Sequence, residues 1–322
     1  MRAIVQDRYG SADVLSLADI DRPVPGSGEV LLRVQAASVF IGDWHVMAGI
    51  PYLGRLAFGL RAPKPRVRGQ DVAGVVEAVG DGVTRLTVGD EVFGTCNGAF
   101  ADYAIAREDK LAPMPSNLTP EQAATVPIAG CTALQALRDQ GDVQSGQTVL
   151  IIGAAGGIGS FAVQIAKAFG ANVTGVCSTE QLEAVRSIGA DEVVDYTQED
   201  VTSSGKRYDL IIDIAGARPV SQLRRVLIPR GTLVLLGAEG GGRWFGRLGR
   251  QLAAQLRSPL VGQNFKGFIG RSMLDDLIEL TRLIEAGKVT PLIGRKYPLG
   301  EVPQAIRDLR SGHNRGKVVI TV

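Results

Sequence analysis

The strand-forming run TVLIIG (Thr148 to Gly153) passes without a break into GAAGGIG and then into SFAVQIAKAFG, whose apolar residues recur at helical spacing. Few folds accept that junction. Downstream the alternation repeats: NVTGVC precedes QLEAVRSIG, and EVVDY, YDLIIDIAG, VSQLRRVL and GTLVLLG follow. Short uninterrupted apolar strands alternating with helices require an α/β fold, a doubly wound parallel sheet covered on both faces. Gly170 and Gly189 stand where helix C-caps are needed.

Gly153, Gly156, Gly157 and Gly159, with Ala155 and Ile158 among them, fall at the turn from strand to helix. A pyrophosphate needs backbone N–H groups and a helix N-terminus there, with no side chain to block its approach. The turn is therefore predicted to hold a dinucleotide. NAD enzymes of this type place an acid about 20 positions on, against the ribose 2′-hydroxyl. Here the next strand ends in Val176, Cys177, Ser178 and Thr179. Neutral hydroxyls leave room for a 2′-phosphate that a carboxylate would repel, which predicts NADPH rather than NADH. Glu180 is read as a solvated first-turn residue favoured by the helix dipole.

The rest of the chain reads differently. Up to about residue 115, strands are predicted at Arg2 to Gln6, Val30 to Ser38, Asp71 to Val79 and Gly98 to Ala106, punctuated by glycine and proline turns. Thr119, Pro120 and Gln122 form a capping-box helix start, and the first domain boundary is placed there. Near the end, helices over Ser272 to Ala286 and Glu301 to Arg310 and a terminal strand KVVITV are expected to rejoin the first module. A length of 322 residues suits two domains. Net charge of +2 argues against nucleic acid as a partner, and the 3 cysteines (Cys96, Cys131, Cys177) do not suggest a disulfide framework. With no apolar signal core and no run of 18 or so apolar residues, a cytoplasmic protein is expected.

The run AAGGIGSFAVQIAKAFGANVTGVCST, the stretch GADEVVDY and the ending RGKVVITV resemble the medium-chain dehydrogenase/reductase superfamily, in its quinone oxidoreductase branch. The resemblance spans essentially the whole chain. It implies a GroES-like catalytic domain built from both chain ends (1–122 and 266–322) around a Rossmann NADPH-binding domain (123–265), with catalysis in the cleft between them, and a homodimer. It also implies cofactor contacts at Thr132, Cys177, Ser178, Thr179, Tyr196, Ile214, Gly237 and Lys317. A lysine common in the family at the position of Gln181 is missing.

Zinc-dependent members hold their metal with cysteine and histidine ligands. At the matching positions this chain has Phe40 and Asp43 in SVFIGDW, and Gln70 with Asp71 in RGQDVAG. No zinc is expected. Without a metal, the hydride acceptor must already be electron-poor, as quinones and α,β-unsaturated carbonyls are. The protein is then left to orient, exclude water and hydrogen-bond the oxygen that gains charge. Phe40, Asp43 and His45 are the candidate substrate-pocket residues; quinone oxidoreductases carry asparagine at Phe40 and often tyrosine at His45, so the pocket is expected to be greasier. A packed histidine beside Trp44 and Met47 is the competing reading of His45, and Cys131 and Cys177 are read as inert packing. Alternatives are a zinc-free alcohol or ketone dehydrogenase and a cofactor-binding regulator without turnover. Gly49 to Leu60 reads as a substrate-side lid. The amphipathic run Gly242 to Arg257 reads as a helix packed on the protein or a partner, with membrane contact not expected.

Overall fold

The computed structural model describes residues 1–236, 251, 254, 262–310 and 316–322. Apart from Gln251 and Ala254, the amphipathic run at 242–257 lies outside them, as does Gly237. In chain order the elements are strands β1 (Arg2–Gln6), β2 (Leu15–Asp19) and β3 (Glu29–Val39), helices α1 (Ile41–Ala48) and α2 (Arg55–Phe58), and strands β4 (Asp71–Val79), β5 (Glu91–Thr95), β6 (Tyr103–Arg107) and β7 (Leu111–Pro113). Helices α3 (Pro120–Ala123) and α4 (Pro127–Gln135) lead into β8 (Thr148–Ile152), α5 (Gly157–Ala168), β9 (Asn172–Cys177), α6 (Leu182–Ser187) and β10 (Glu192–Asp195). Then come β11 (Tyr208–Asp213), α7 (Val220–Leu223), β12 (Leu227–Leu235), β13 (Asn264–Gly267), α8 (Leu274–Glu285), β14 (Ile293–Pro298), α9 (Val302–Arg310) and β15 (Lys317–Thr321).

Two compact units result. The first comprises Met1–Cys131, Ser272–Glu285 and Pro291–Val322. Its larger sheet runs β14-β15-β3-β4-β5-β7, with β6 on β3. Strand β15 lies antiparallel to β3, with Val319 opposite Ser38, so the chain's end does close the sheet its start began. Leu32, Val34, Val72, Val92, Leu111, Ile306 and Val318 share its core, each such burial stabilising by roughly 1.5–3 kcal/mol. The strand predicted over Gly98 to Ala106 begins only at Tyr103. Gly98 takes φ +83°, and the N–H groups of Gly98 and Ala99 both turn aside to the Gly69 carbonyl, at 3.0 and 3.1 Å.

The second unit, Thr132–Arg271 with Ala286–Thr290, holds a six-stranded sheet ordered β10-β9-β8-β11-β12-β13. Every pairing in it is parallel. That is the doubly wound Rossmann order, with the winding reversing between β8 and β11. The unit boundaries differ from the sequence-derived 122/123 and 265/266. Helix α3 does start at the Thr119 capping box, where Thr119 N–H meets Gln122 Oε1 at 3.0 Å and Gln122 N–H meets Thr119 Oγ1 at 3.4 Å. The chain nevertheless stays with the first unit to Cys131, because the N-terminus of α4 is tied to Asp71 of β4. At the other end β13, which has too few residues to show a period, carries the parallel sheet on to Gly267.

Candidate functional site

Strand β8 ends at the centre of its sheet, at the point where the winding reverses. Gly153 follows at φ +89°, a left-handed conformation that glycine adopts without strain. There the N–H groups of Gly153 and Ala154 both donate to the Val176 carbonyl of β9, at 3.1 and 3.0 Å. Gly156 is the N-cap of α5, and Ser160 N–H closes the first helical turn on its carbonyl at 2.9 Å. The N–H groups of Gly157, Ile158 and Gly159 therefore precede any intrahelical acceptor. A Cβ on Gly159 would lie 2.1 Å from the Gly153 carbonyl oxygen, so helix and turn are in direct backbone contact. One on Gly156 would meet only that oxygen, at 3.4 Å. Packing needs the glycine at 159; at 156 the space is open. Half-buried Ala155 and Ile158 share the turn, and Ile214 joins from β11, its N–H donating to the Ile152 carbonyl at 3.1 Å.

The rim beside this turn is formed by the ends of β9 and β10. Cys177 is 3% exposed and burial pushes its thiol up to about 11, so it is a packed, protonated sulfur. Ser178 is half-buried, while Thr179 and Glu180 are exposed. Tyr196 is 55% exposed, and its N–H donates to the Cys177 carbonyl at 3.1 Å. Sequence reasoning missed Asp195, which the parallel register sets directly beside Cys177. Its signal was its place as the last residue of the strand in GADEVVDY. Thr132 is buried in the same unit, in van der Waals contact range of Gly270, where a Cβ would fall 2.1 Å from Thr132 Oγ1. A cavity of about 420 Å³ lies at the other end of these strands, among Thr148, Asn172, Asp191, Lys206 and Tyr208.

The first unit holds a buried charge cluster. Phe40 caps α1, and its N–H donates to Asp43 Oδ2 at 3.0 Å. Asp43 is 1% exposed, and its Oδ1 meets no hydrogen-bond donor among the described residues. Burial pushes its carboxyl up to about 7, against the opposing pull of the Phe40 N–H and the Arg68 charge. Asp71 opens β4, fully buried. Its Oδ1 accepts the Ile128 N–H at 3.0 Å and its Oδ2 faces Lys317 Nζ at 3.4 Å. Burial raises it to about 6, with Lys317 pulling it down. His45 Nδ1 lies 2.8 Å from the Ile50 carbonyl, so that nitrogen carries the proton and only an imidazolium can donate from Nε2. The ring stands edge-on to Trp44, centroids 5.0 Å apart.

Residues 26–116 match the family described as alcohol dehydrogenase GroES-like domain, and 188–320 the family described as zinc-binding dehydrogenase. A mitochondrial NAD(P)H oxidoreductase of Mus musculus is 32% identical over 100% of this chain and 89% of its own. The chain belongs to the medium-chain dehydrogenase/reductase superfamily. Within the superfamily it falls in the quinone oxidoreductase-like branch, and it is an oxidoreductase. An Arabidopsis thaliana chloroplastic protein named NADPH-dependent alkenal/one oxidoreductase is 33% identical over 99% of this chain and 79% of its own. Among solved structures, the quinone oxidoreductase of Coxiella burnetii superposes with a TM-score of 0.87 at 29% identity, covering 100% and 99% of the two chains. A mycobacterial protein solved in complex with NADPH gives 0.84 at 27% identity over the full length of both.

Against the superfamily's zinc pattern, the donor set here is poor. Phe40 offers carbon, Gln70 a weak amide, and Asp71 is occupied by Lys317 and the Ile128 N–H. No group of three or more His, Cys, Asp or Glu that could hold a metal occurs among the described residues. Lys317, an expected cofactor contact, opens β15 with 4% exposure, and its ammonium faces Asp71.

Proposed function

We propose that the chain is an NADPH-dependent oxidoreductase that delivers hydride to a quinone or an α,β-unsaturated carbonyl without a metal. The observation that carries this is the open face of the glycine turn at Gly156, at the carboxyl end of the central strand and at the start of a 12-residue helix, where neighbouring Gly159 is instead closed by packing. Free helix-terminal N–H groups and a missing side chain suit a pyrophosphate. The nucleotide supplies a hydride; everything else falls to the protein. The turn binds phosphates through the N–H groups of Gly157, Ile158 and Gly159. Ser178 and Tyr196 take the ribose edge, Thr132, Ile214 and Gly237 the nicotinamide side, following the superfamily pattern.

The zinc-free half of the proposal rests on Phe40, Gln70 and the committed Asp71, which leave no thiolate or imidazole at the matching positions to hold a metal that would polarise an alcohol. An acceptor that needs no such activation then fits best, and the relatives named for quinones and alkenals support it. Phe40 gives the pocket an apolar wall, and neutral His45, with its proton held on Nδ1, orients rather than donates. A cytoplasmic homodimer is part of the same proposal, to be read by size-exclusion chromatography. The function itself is tested by following NADPH oxidation against quinones, enones, aldehydes and ketones, with and without a chelator. Turnover confined to quinones and enones and indifferent to chelator is expected. Turnover of aldehydes or ketones that chelation abolishes would defeat the proposal.

A further inference from the structure

Asp195 is 8% exposed at the end of β10, beside the strand end that bears Ser178 and Thr179. Three hydrogens converge on its carboxylate. Thr179 Oγ1 donates to Oδ2 at 2.5 Å, and the N–H and hydroxyl of Thr197 donate to Oδ1 at 2.9 and 2.7 Å. The two threonine oxygens lie 3.0 Å apart. A hydroxyl has one hydrogen, so both have committed theirs to the carboxylate. These bonds, Thr179's first, hold the Asp195 carboxyl below the usual carboxylate range, and it stays charged at neutral pH. A 2′-phosphate is an acceptor-only anion that needs donors or cations. Thr179 turns only lone pairs towards it, with a fixed negative charge behind them. Glu180 adds another acid on the exposed side, and one nitrogen of the Arg186 guanidinium is paired with Glu183 at 2.5 Å. A ribose 2′-hydroxyl, by contrast, can donate to those lone pairs.

We propose that Asp195 is a specificity-determining residue for the nucleotide: acting through Thr179, it withholds that hydroxyl from a 2′-phosphate and narrows the preference for NADPH over NADH. The proposal rests on the glycine turn binding a nucleotide. Calorimetric dissociation constants for 2′,5′-ADP and 5′-AMP test it directly, on the wild-type protein, Asp195→Asn, Thr179→Val and the double variant. Removing the charge and releasing the Thr179 hydrogen should raise the affinity ratio of 2′,5′-ADP to 5′-AMP by about tenfold in Asp195→Asn. Thr179→Val should not lower the wild-type ratio, since that hydroxyl has no hydrogen left for a phosphate and only an acceptor for the 5′-AMP ribose is lost, yet it should cancel most of the gain in the double variant. The kcat/KM ratio for NADPH over NADH should move in the same direction. An unchanged or lowered ratio in Asp195→Asn overturns the proposal. So does a wild-type ratio that Thr179→Val alone cuts about tenfold, a result that does not depend on Asp195→Asn folding. Binding of neither ligand to the wild-type protein overturns the nucleotide reading itself, and this proposal with it.

Discussion

At the scale of single residues, two glycines a helical step apart do different work. Gly159 is required by backbone contact with Gly153, whereas Gly156, at φ −74° and ψ 173°, sits in a conformation open to any residue. Gly156→Ala should therefore leave the melting temperature nearly unchanged while weakening NADPH binding at least about tenfold by calorimetry. Unchanged binding would remove the argument from backbone approach. Asp43 makes a second prediction, with a definite sign. Its folded carboxyl titrates at about 7, above its ordinary value of about 3.9. Between those limits the folded state holds a proton that the unfolded state releases, so this residue's contribution to stability falls as pH rises through the window. Urea melts at pH 5 and pH 8 should show Asp43→Asn gaining on the wild type at the higher pH. Parallel losses in the two proteins would contradict it.

Elements of regular periodicity were legible in the sequence, and elements defined by partners were not. Strands β8, β9 and β11 are unbroken apolar runs because both faces of a parallel sheet are covered, and α5 follows from its spacing; the Thr119 capping box reads off as written. Strands β2, β5, β7, β13 and β14 escaped notice, being short, with exposed or mixed faces whose order comes from the ladder beside them. The glycine turn was readable because sequence and local backbone coincide there. Asp195, Asp71 and Arg68 were not, because their meaning lies in contacts across strands. Asp71 shows this most clearly, tying β4 to α4 through Ile128 and to β15 through Lys317. Lys317→Met should cost about 3–5 kcal/mol at pH 8 by leaving a buried carboxylate uncompensated. The loss should shrink near pH 5, where Asp71, at about 6, is protonated. Combining it with Asp71→Asn should recover part of the stability, and additive losses in that pair would argue against a coupled bridge.

For the whole molecule, the chain uses its two ends to complete one sheet and its middle to build the other, a division visible early in the change from short strands and turns to strand–helix alternation. What the two units contribute to function is chemically distinct. In the reading proposed above, one offers backbone N–H groups for a phosphate and a rim tuned by Asp195; the other offers Phe40, His45 and a buried cluster of Asp43, Asp71, Arg68 and Lys317. No helix among the described residues is long and apolar enough to cross a membrane. The proposed metal-free transfer of hydride from NADPH can be followed with an isotope. Chelator-treated protein is supplied with NADPH carrying deuterium at the transferable C4 position and with an α,β-unsaturated ketone, and the product is analysed by mass spectrometry and NMR. Deuterium on the β-carbon of the saturated ketone, formed at a rate the chelator does not change, is the predicted result. Label lost to water, or turnover that returns only when zinc is added back, would contradict it.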